Sequence, residues 1–175
     1  MIFPGHVSAG YLVAKVVLSM HPEISVAEYN KLVLLGAFSG WLPDIDIFYY
    51  FFKARSVRFE EGTTHRSYIT HTPFFWIAVA FLVLLFTRSE VSALIMGLGS
   101  LSHIFFDSFG SGNGVMWFWP FSKKKVLFFN YVDKNPETDN VFKYYFLLFK
   151  DYLNTTTFYL EITITVVALL AIYFS

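Results

Sequence analysis

The strongest constraint on this fold is a stretch of fourteen residues, from Pro73 to Phe86, that carries no charged side chain. A helix of this length extends about 21 Å against roughly 30 Å of bilayer hydrocarbon, so its ends at Thr72 and Arg88 are expected near the interfaces. The whole chain is 55% hydrophobic and 21% aromatic, which is more apolar surface than one core of 175 residues can bury. These features exclude soluble, disordered and fibrous proteins and predict a membrane protein.

Four other apolar runs predict helices, at residues 5–20, 26–42, 91–109 and 157–174. Pro43 is expected to end or kink the second helix, and the Thr72-Pro73 pair suits the start of the third. Residues 130–151 are the most polar part of the chain, and no repeat or linker divides it. The predicted fold class is therefore all-α, a polytopic membrane helical bundle of about five helices forming a single domain over residues 1–175.

The distribution of basic residues predicts the orientation of the bundle. If each helix crosses the membrane, one side holds the N-terminus with residues 53–72 and 110–156, and this side carries ten Lys or Arg residues. The other side carries two, Lys31 and Arg88. By the positive-inside rule, the first side faces the cytoplasm. The 13 basic and 13 acidic residues cancel over the whole chain, so global charge gives no reason to expect nucleic acid as a partner.

Metal-binding side chains gather on that predicted cytoplasmic side. The chain has no cysteine, which excludes disulfides and thiolate sites and leaves His, Asp, Glu or backbone atoms to hold a transition metal. Ionisable residues in a membrane cost about 2.5 to 3.5 kcal/mol each on insertion scales, so those present usually have partners and a function. The topology predicts a metal site at the cytoplasmic end of the bundle, where seven candidate residues meet: His6, Asp44, Asp46, His65, His71, His103 and Asp107.

Two of the local motifs have a clear spacing. His103 and Asp107 form an i,i+4 pair that one helix face could offer to an ion, although an intrahelical hydrogen bond would explain the same spacing. Asp44 and Asp46 follow Pro43, where a break in the helix can turn both carboxylates inward. Asp44 is favoured as a metal ligand, and Asp46 is either a ligand or an acceptor that fixes a His ring, with helix capping as the alternative.

The remaining candidates lie in single chain segments. His65 and His71 are six residues apart, so one straight helix face cannot present both, and one of them is predicted to be a ligand while the other moves protons or supports the site. Arg66 is suited to a phosphate or carboxylate oxygen, or else it only sets topology. His6 is a candidate ligand because it lies at the predicted site face. Glu161 is interpreted as a helix-start acid rather than a ligand.

Several ordered motifs resemble one membrane protein family. His6, LPDID at 42–46, HRSYITH at 65–71, GSLSHIFFD at 99–107 and WPFSKKKV at 119–126 together resemble the YdjM-type family of membrane-bound proteins regarded as metal-dependent hydrolases. The resemblance covers residues 1 to about 130. It implies a membrane-embedded enzyme that uses a metal ion.

A more remote resemblance is to the zinc-dependent phospholipase C/P1 nuclease group, which are all-helical enzymes that cleave phosphodiesters. It implies Zn²⁺ as the cofactor and the ligands His6, Asp44, His65, His103 and Asp107, with Asp107 able to bridge two ions. The sequence departs from that group because no His follows position 103, where the later ligands of its third zinc site would be. One or two ions are therefore expected, and Mn²⁺ also suits mixed His and carboxylate ligands.

The predicted function is a metal-dependent hydrolase, most simply of phosphoesters, in the inner membrane with its site facing the cytoplasm. Asp46 or His71 would move protons, and Arg66 would steady the charge developing on a phosphoryl group. A site at headgroup depth predicts the lipid bilayer as a partner and an amphiphilic or lipid-linked phosphoester as a substrate. The alternatives are an ion or proton transporter and a structural membrane protein whose helices are clamped by a metal.

Overall fold

The computed structural model describes residues 3–54, 65–109, 114–128, 138 and 140–174, without the side chains of residues 50, 51, 53, 54 and 65. Over these ranges the regular elements are helices. An isolated antiparallel bridge pairs Val115 with Val126 in the segment that follows α5 (Glu90–Asp107). The all-α prediction is confirmed. Three helices pack on one another: α1 (Phe3–Ser19), α2 (Val26–Trp41) and α5. Helix α4 (Pro73–Thr87) packs on α5, and α7 (Thr156–Tyr173) packs on α1.

Helices α1 (Phe3–Ser19) and α2 (Val26–Trp41) form an antiparallel hairpin. The Ser25 side chain caps α2 by accepting a hydrogen bond from the backbone N–H of Glu28. Glycines then allow the two backbones to touch. A Cβ added at Gly36 would lie 2.6 Å from the backbone oxygen of Gly10, and one at Gly40 would lie 2.2 Å from that of His6. No residue with a side chain fits this crossing without moving α1.

Pro43 interrupts the helix that α2 begins. Residues Leu42–Asp44 form a 3₁₀ turn, and the chain then continues as α3 (Ile45–Ala54). The predicted kink therefore occurs where Pro43 was expected to cause it, since proline removes a backbone donor and clashes with the preceding turn. The consequence for the site is that Asp44 and Asp46 sit on either side of the 3₁₀ to α transition.

Two 3₁₀ turns, His65–Ser67 and Ile69–His71, lead into α4 (Pro73–Thr87). Thr72 occupies the N-cap position, but its hydroxyl donates to the backbone oxygen of Ile69 instead of capping α4. A left-handed residue, Arg88 with φ of 55°, ends α4, and α5 (Glu90–Asp107) follows after Ser89. This tight turn makes α4 and α5 antiparallel neighbours.

The C-terminal part contains a helix that the sequence analysis did not predict. Helix α6 (Val141–Tyr152) lies in the segment interpreted only as polar, and α7 (Thr156–Tyr173) matches the predicted final helix. The side chain of Asn140 caps α6 by accepting from Lys143 N–H. Aromatic side chains on α6 recur at i, i+3, i+4 and i+7 and are exposed: Phe142, Tyr145, Phe146 and Phe149. The helix is therefore amphipathic rather than apolar, which is why a search for apolar runs passes over it.

Within the described part of the chain, two helical segments are long and apolar enough to cross a membrane, Val26–Tyr49 and Thr156–Tyr173, and the apolar helix Pro73–Thr87 is shorter. Because α1 runs into α2 through residues 20–25 and α4 runs into α5 through residues 88–89, both connections lie at the end of the bundle opposite to Asp44 and Asp107. The start of α1, the end of α2 and the end of α5 thus share one end. That end carries the candidate functional residues.

Candidate metal centre

Six of the seven predicted residues have described side chains, and the structure brings all six together. They come from four chain segments: the start of α1, the 3₁₀ turn and α3 after Pro43, the 3₁₀ turn before α4, and the last two turns of α5. These residues form three overlapping groups that could each hold a metal ion. Within each group, one ligand atom per residue lies within 4.8 Å of the others. The groups are His6 with Asp44 and His103, His71 with His103 and Asp107, and Asp44 with Asp46 and His71.

The centre of the cluster is formed by four side-chain atoms. The Nε2 atoms of His71 and His103 are 3.4 Å apart. Asp44 Oδ1 lies 3.5 Å from each of these nitrogens, and Asp107 Oδ2 lies 3.6 Å from each. Neighbouring ligands around four-coordinate zinc, with bonds of about 2.1 Å, are about 3.4 Å apart. The separation between the two imidazole nitrogens, and those from each nitrogen to either carboxylate oxygen, therefore match the spacing of neighbouring zinc ligands.

His6 extends the cluster on one side. Its ring stacks on that of His103 with centroids 3.6 Å apart, and its Nε2 lies 3.2 Å from Asp107 Oδ1. Asp107 thus faces His6 with one carboxylate oxygen and the two central histidines with the other. Because each oxygen of a carboxylate can bind a different ion, this arrangement is compatible with one ion or with two that share Asp107.

Both central histidines are held so that Nε2 points inward. His103 Nδ1 lies 2.8 Å from the backbone oxygen of Gly40, which can only accept, so Nδ1 carries the proton. His71 Nδ1 lies 2.8 Å from Asp46 Oδ2, which also accepts a hydrogen bond from the Thr70 hydroxyl at 2.6 Å. An oxygen behind the ring is the usual support for a metal-binding histidine, because it fixes the tautomer and the ring orientation.

The charge of the cluster also suits a cation. Asp107 is 1% exposed and forms a two-point salt bridge with Arg66, whose Nε and NH2 atoms lie 2.9 and 3.2 Å from its two oxygens. With the histidines neutral, as metal binding requires, the three carboxylates and one guanidinium among the described residues leave a formal charge of −2, which a divalent cation would balance. In the metal-free protein, burial alone would lower the pKa of His71, but hydrogen bonds with Asp44 and Asp46 outweigh it and raise that pKa to about 9, so a metal ion that binds His71 has to displace a proton.

The two histidines of the HRSYITH segment differ in what the structure shows. His71 is fully buried at the centre of the cluster, in the position of a ligand. The resemblance to the phospholipase C/P1 nuclease group implied His65 as the ligand, and the side chain of His65 lies outside the part of the chain that the structure describes. Arg66 contacts Asp107, and Asp46 contacts His71 as the ring-fixing acceptor that was one of its two interpretations.

The whole chain, residues 1–175, matches the family model described as YdjM inner membrane protein. The protein belongs to this family. The match confirms the resemblance carried by the motifs up to about residue 130 and extends it to the C-terminus. The description of the YdjM family as an inner membrane protein agrees with the two candidate membrane spans. No curated protein and no solved structure is significantly similar to the chain, so the remoter similarity to the phospholipase C/P1 nuclease group stays a prediction.

Some contacts of this YdjM-family protein were missed at the sequence level. Gly40 supports the centre through backbone atoms alone, and nothing in its side-chain chemistry could indicate this. Lys125, the last of three consecutive lysines in the WPFSKKKV motif, donates to the Ser67 hydroxyl at 2.9 Å beside Arg66. Glu161 was interpreted as a helix-start acid, yet it is 4% exposed and accepts a hydrogen bond from Gly5 N–H at 3.0 Å. A single acid in an apolar helix is costly in lipid unless paired, which was the available signal.

Proposed function

We propose that this YdjM-family protein is a metal-dependent hydrolase of phosphoesters. The observation that supports the proposal is the meeting of His and Asp side chains from four chain segments around one small volume, with separations suited to metal ligands. A buried group of this kind is costly to assemble in a membrane-embedded fold unless it binds something. The family description supports the membrane part of the proposal and says nothing about the chemistry.

The donor set is that of a zinc site, or of one that accepts manganese, because it mixes imidazole nitrogens with carboxylate oxygens. His71, His103, Asp44 and Asp107 would hold one ion, and His6 with Asp107 would take part in a second if two are present. Such an ion supplies Lewis-acid polarisation of a phosphoryl oxygen and lowers the pKa of water toward about 7.

The protein residues around this set would orient the ligands and handle protons and charge. Asp46 Oδ2 holds His71, whereas its Oδ1 is buried without a hydrogen-bond partner among the described residues and could take up a proton. Arg66 balances the charge of Asp107 and brings a guanidinium to the centre. Lys125 adds a second cation beside the Arg66 segment. Two cations flanking the cluster favour an anionic substrate such as a phosphoester.

The site lies at one end of helices that include two candidate membrane spans, which supports a position at headgroup depth. A substrate could then enter from the lipid, so we favour an amphiphilic or lipid-linked phosphoester. The excess of Lys and Arg in the segments at the site end supports a cytoplasmic orientation.

The function is tested on protein purified in detergent. Bound metals are measured, and hydrolysis of bis(p-nitrophenyl) phosphate and p-nitrophenyl phosphate is assayed for the wild type and for His103→Ala. The matched control is His21→Ala, because His21 is the histidine placed between α1 and α2, away from the cluster. We expect the wild type and the control to retain metal and activity and His103→Ala to lose both.

Two other results would replace the proposal. Metal retained by the wild type without turnover of any phosphoester would favour a structural clamp between helices. Ion flux into liposomes that is lost in His103→Ala but kept in His21→Ala would favour transport.

Orientation has a separate test, because the chain contains no cysteine. Single cysteines are introduced as Lys124→Cys, at the site end, and Glu23→Cys, between α1 and α2. Both positions are exposed. A membrane-impermeant maleimide added to intact cells should label Glu23→Cys and spare Lys124→Cys. The reverse pattern would contradict a cytoplasmic site.

A further inference from the structure

Helix α7 carries two buried polar side chains in its first two turns. Thr157 and Glu161 are each 4% exposed, while most side chains of this helix are apolar and accessible. The two residues are four positions apart and therefore share one face of the helix. That face meets the rest of the bundle, because α7 packs on α1.

Glu161 holds the start of α1. Its Oε1 accepts a hydrogen bond from the backbone N–H of Gly5 at 3.0 Å, and its Oε2 accepts one from the Tyr152 hydroxyl. The first N–H groups of a helix have no partner within the helix and carry a partial positive charge, so a carboxylate is a favourable partner for them. Gly5 immediately precedes His6, which lies in the metal centre.

Thr157 holds the end of α5. Its hydroxyl donates to the backbone oxygen of Phe109 at 2.8 Å. The last carbonyl groups of a helix also lack partners within the helix, and Phe109 lies two residues after Asp107. One face of α7 is thus bonded both to the start of α1 and to the segment that follows α5.

We propose that Thr157 and Glu161 form a clamp that fixes His6 against Asp107, and that this clamp sets the affinity of the centre for its metal ion. The two clamped backbone positions are one and two residues from the side chains that pair at 3.2 Å. Because one contact fixes the start of α1 and the other fixes the residues that directly follow α5, a loose clamp allows α1 and α5 to move apart at the centre. Thr157 and Glu161 are positioning residues, and this role rests on the proposed metal centre.

The clamp explains why a C-terminal helix with no candidate ligand would matter to the site. A buried carboxylate in an apolar helix would cost several kcal/mol without partners. Both carboxylate oxygens of Glu161 accept hydrogen bonds, one from the backbone N–H of Gly5 and one from the Tyr152 hydroxyl. Thr163 on the same helix shows the contrast, because it is exposed and its hydroxyl bonds to the backbone oxygen of Tyr159 within α7. A hydroxyl alone therefore does not make a clamp residue.

The first test measures metal affinity on the full chain in detergent by equilibrium dialysis against Zn²⁺. Thr157→Val and Glu161→Ala each remove one contact, whereas Glu161→Gln keeps an oxygen that can accept from Gly5 N–H. Residues that support metal ligands typically change affinity about 10- to 100-fold. We expect Thr157→Val and Glu161→Ala to bind Zn²⁺ about 10-fold more weakly and Glu161→Gln to recover most of that loss. The matched control, Thr163→Val, should bind as the wild type does.

The second test uses the chelated, metal-free protein and follows hydrogen exchange of the Gly5 amide. Glu161→Ala should exchange this amide about 10-fold faster than the wild type, and Thr163→Val should not. A wild type that retains no metal would contradict the proposed function. A wild type that binds metal, with unchanged affinity in Thr157→Val and Glu161→Ala and unchanged Gly5 exchange in Glu161→Ala, would overturn the clamp.

Discussion

Helices α4 and α5 are neighbours of similar length, yet they bury different kinds of side chain. Helix α4 is the more apolar of the two, but only Pro73 and Trp76 are buried, and Phe86 is 85% exposed. Helix α5 buries glycines, a serine, His103 and Asp107 along with its aliphatic residues. In this pair of helices, the more hydrophobic one is the more exposed, and the small and polar residues of the other are buried against protein.

The difference has a simple physical cause. Lipid tails are as apolar as leucine, so an apolar side chain gains little by leaving lipid for a protein interface. A polar or small residue gains more, because it finds hydrogen-bond partners or lets backbones approach. The centre of α1, α2 and α5 has both, with Gly40 at the crossing and His103 in the candidate metal centre. Substituting these residues should therefore lower the free energy of unfolding more than substituting apolar residues on α4 does.

The largest effect is expected for Asp107→Asn. This change removes the carboxylate that forms the two-point salt bridge with the guanidinium of Arg66, which is 7% exposed. Breaking a buried ion pair from one side costs roughly 3 to 5 kcal/mol. The free energy of unfolding, measured in detergent without added metal, should fall by that amount. Asp151→Asn, at an exposed position on α6, is the control, and equal losses in the two variants would contradict the comparison.

Gly40→Ala should come next. The added Cβ would lie 2.2 Å from the backbone oxygen of His6 and 2.9 Å from Gly10 Cα, and neither of these backbone atoms can rotate away. Overpacking of this kind costs roughly 1 to 3 kcal/mol and should also displace His6. Thermal unfolding and Zn²⁺ affinity should both decrease. Gly97→Ala is the control, because its Cβ would meet only the Ala80 methyl at 3.0 Å, and similar losses there would count against the argument.

The helices and the site differ in how far the sequence predicts them. The helix bounds agree to within a few residues because local signals mark them: Pro43 at the kink, Pro73 at the start of α4 and Ser89 before α5. Helix α6 was missed because its signal is an aromatic stripe within a polar segment. Composition alone shows no reason for the chain to fold there.

At the site, the sequence identifies the kinds of residue and the end of the bundle, but not the contacts. HRSYITH offers two histidines, and only the 3₁₀ turn at Ile69–His71 shows that His71 reaches the centre. Gly40 acts through its carbonyl oxygen, which every residue has. Glu161 acts on a residue 156 positions away. Contacts made by backbone atoms or over long separations leave no local pattern in the sequence.

A smaller effect on stability, with a clear effect on metal binding, is expected for Asp46→Asn. The amide can replace one hydrogen bond to His71 but offers weaker support to the ring than a carboxylate does, so Zn²⁺ affinity should fall about 10- to 100-fold. Thr70→Val removes only the hydroxyl that bonds to the same oxygen, and its affinity should change less. If Thr70→Val weakens binding as much as Asp46→Asn, Asp46 does not act by orienting His71.

The smallest effect is expected for Leu85→Ala on α4. Leu85 is 56% exposed on a helix whose outer surface faces lipid in the proposed topology, so the lost side chain was solvated by lipid and not by protein. The free energy of unfolding in lipid nanodiscs should change by less than about 0.5 kcal/mol, as for other surface positions.

Leu32→Ala is the matched control, because Leu32 is 5% exposed in the cluster formed by α1, α2 and α5. Its truncation leaves a cavity inside the protein and should cost roughly 2 to 5 kcal/mol. Equal losses for the two leucines would mean that α4 is packed against protein on that face, and the contrast between α4 and α5 would then lose its basis.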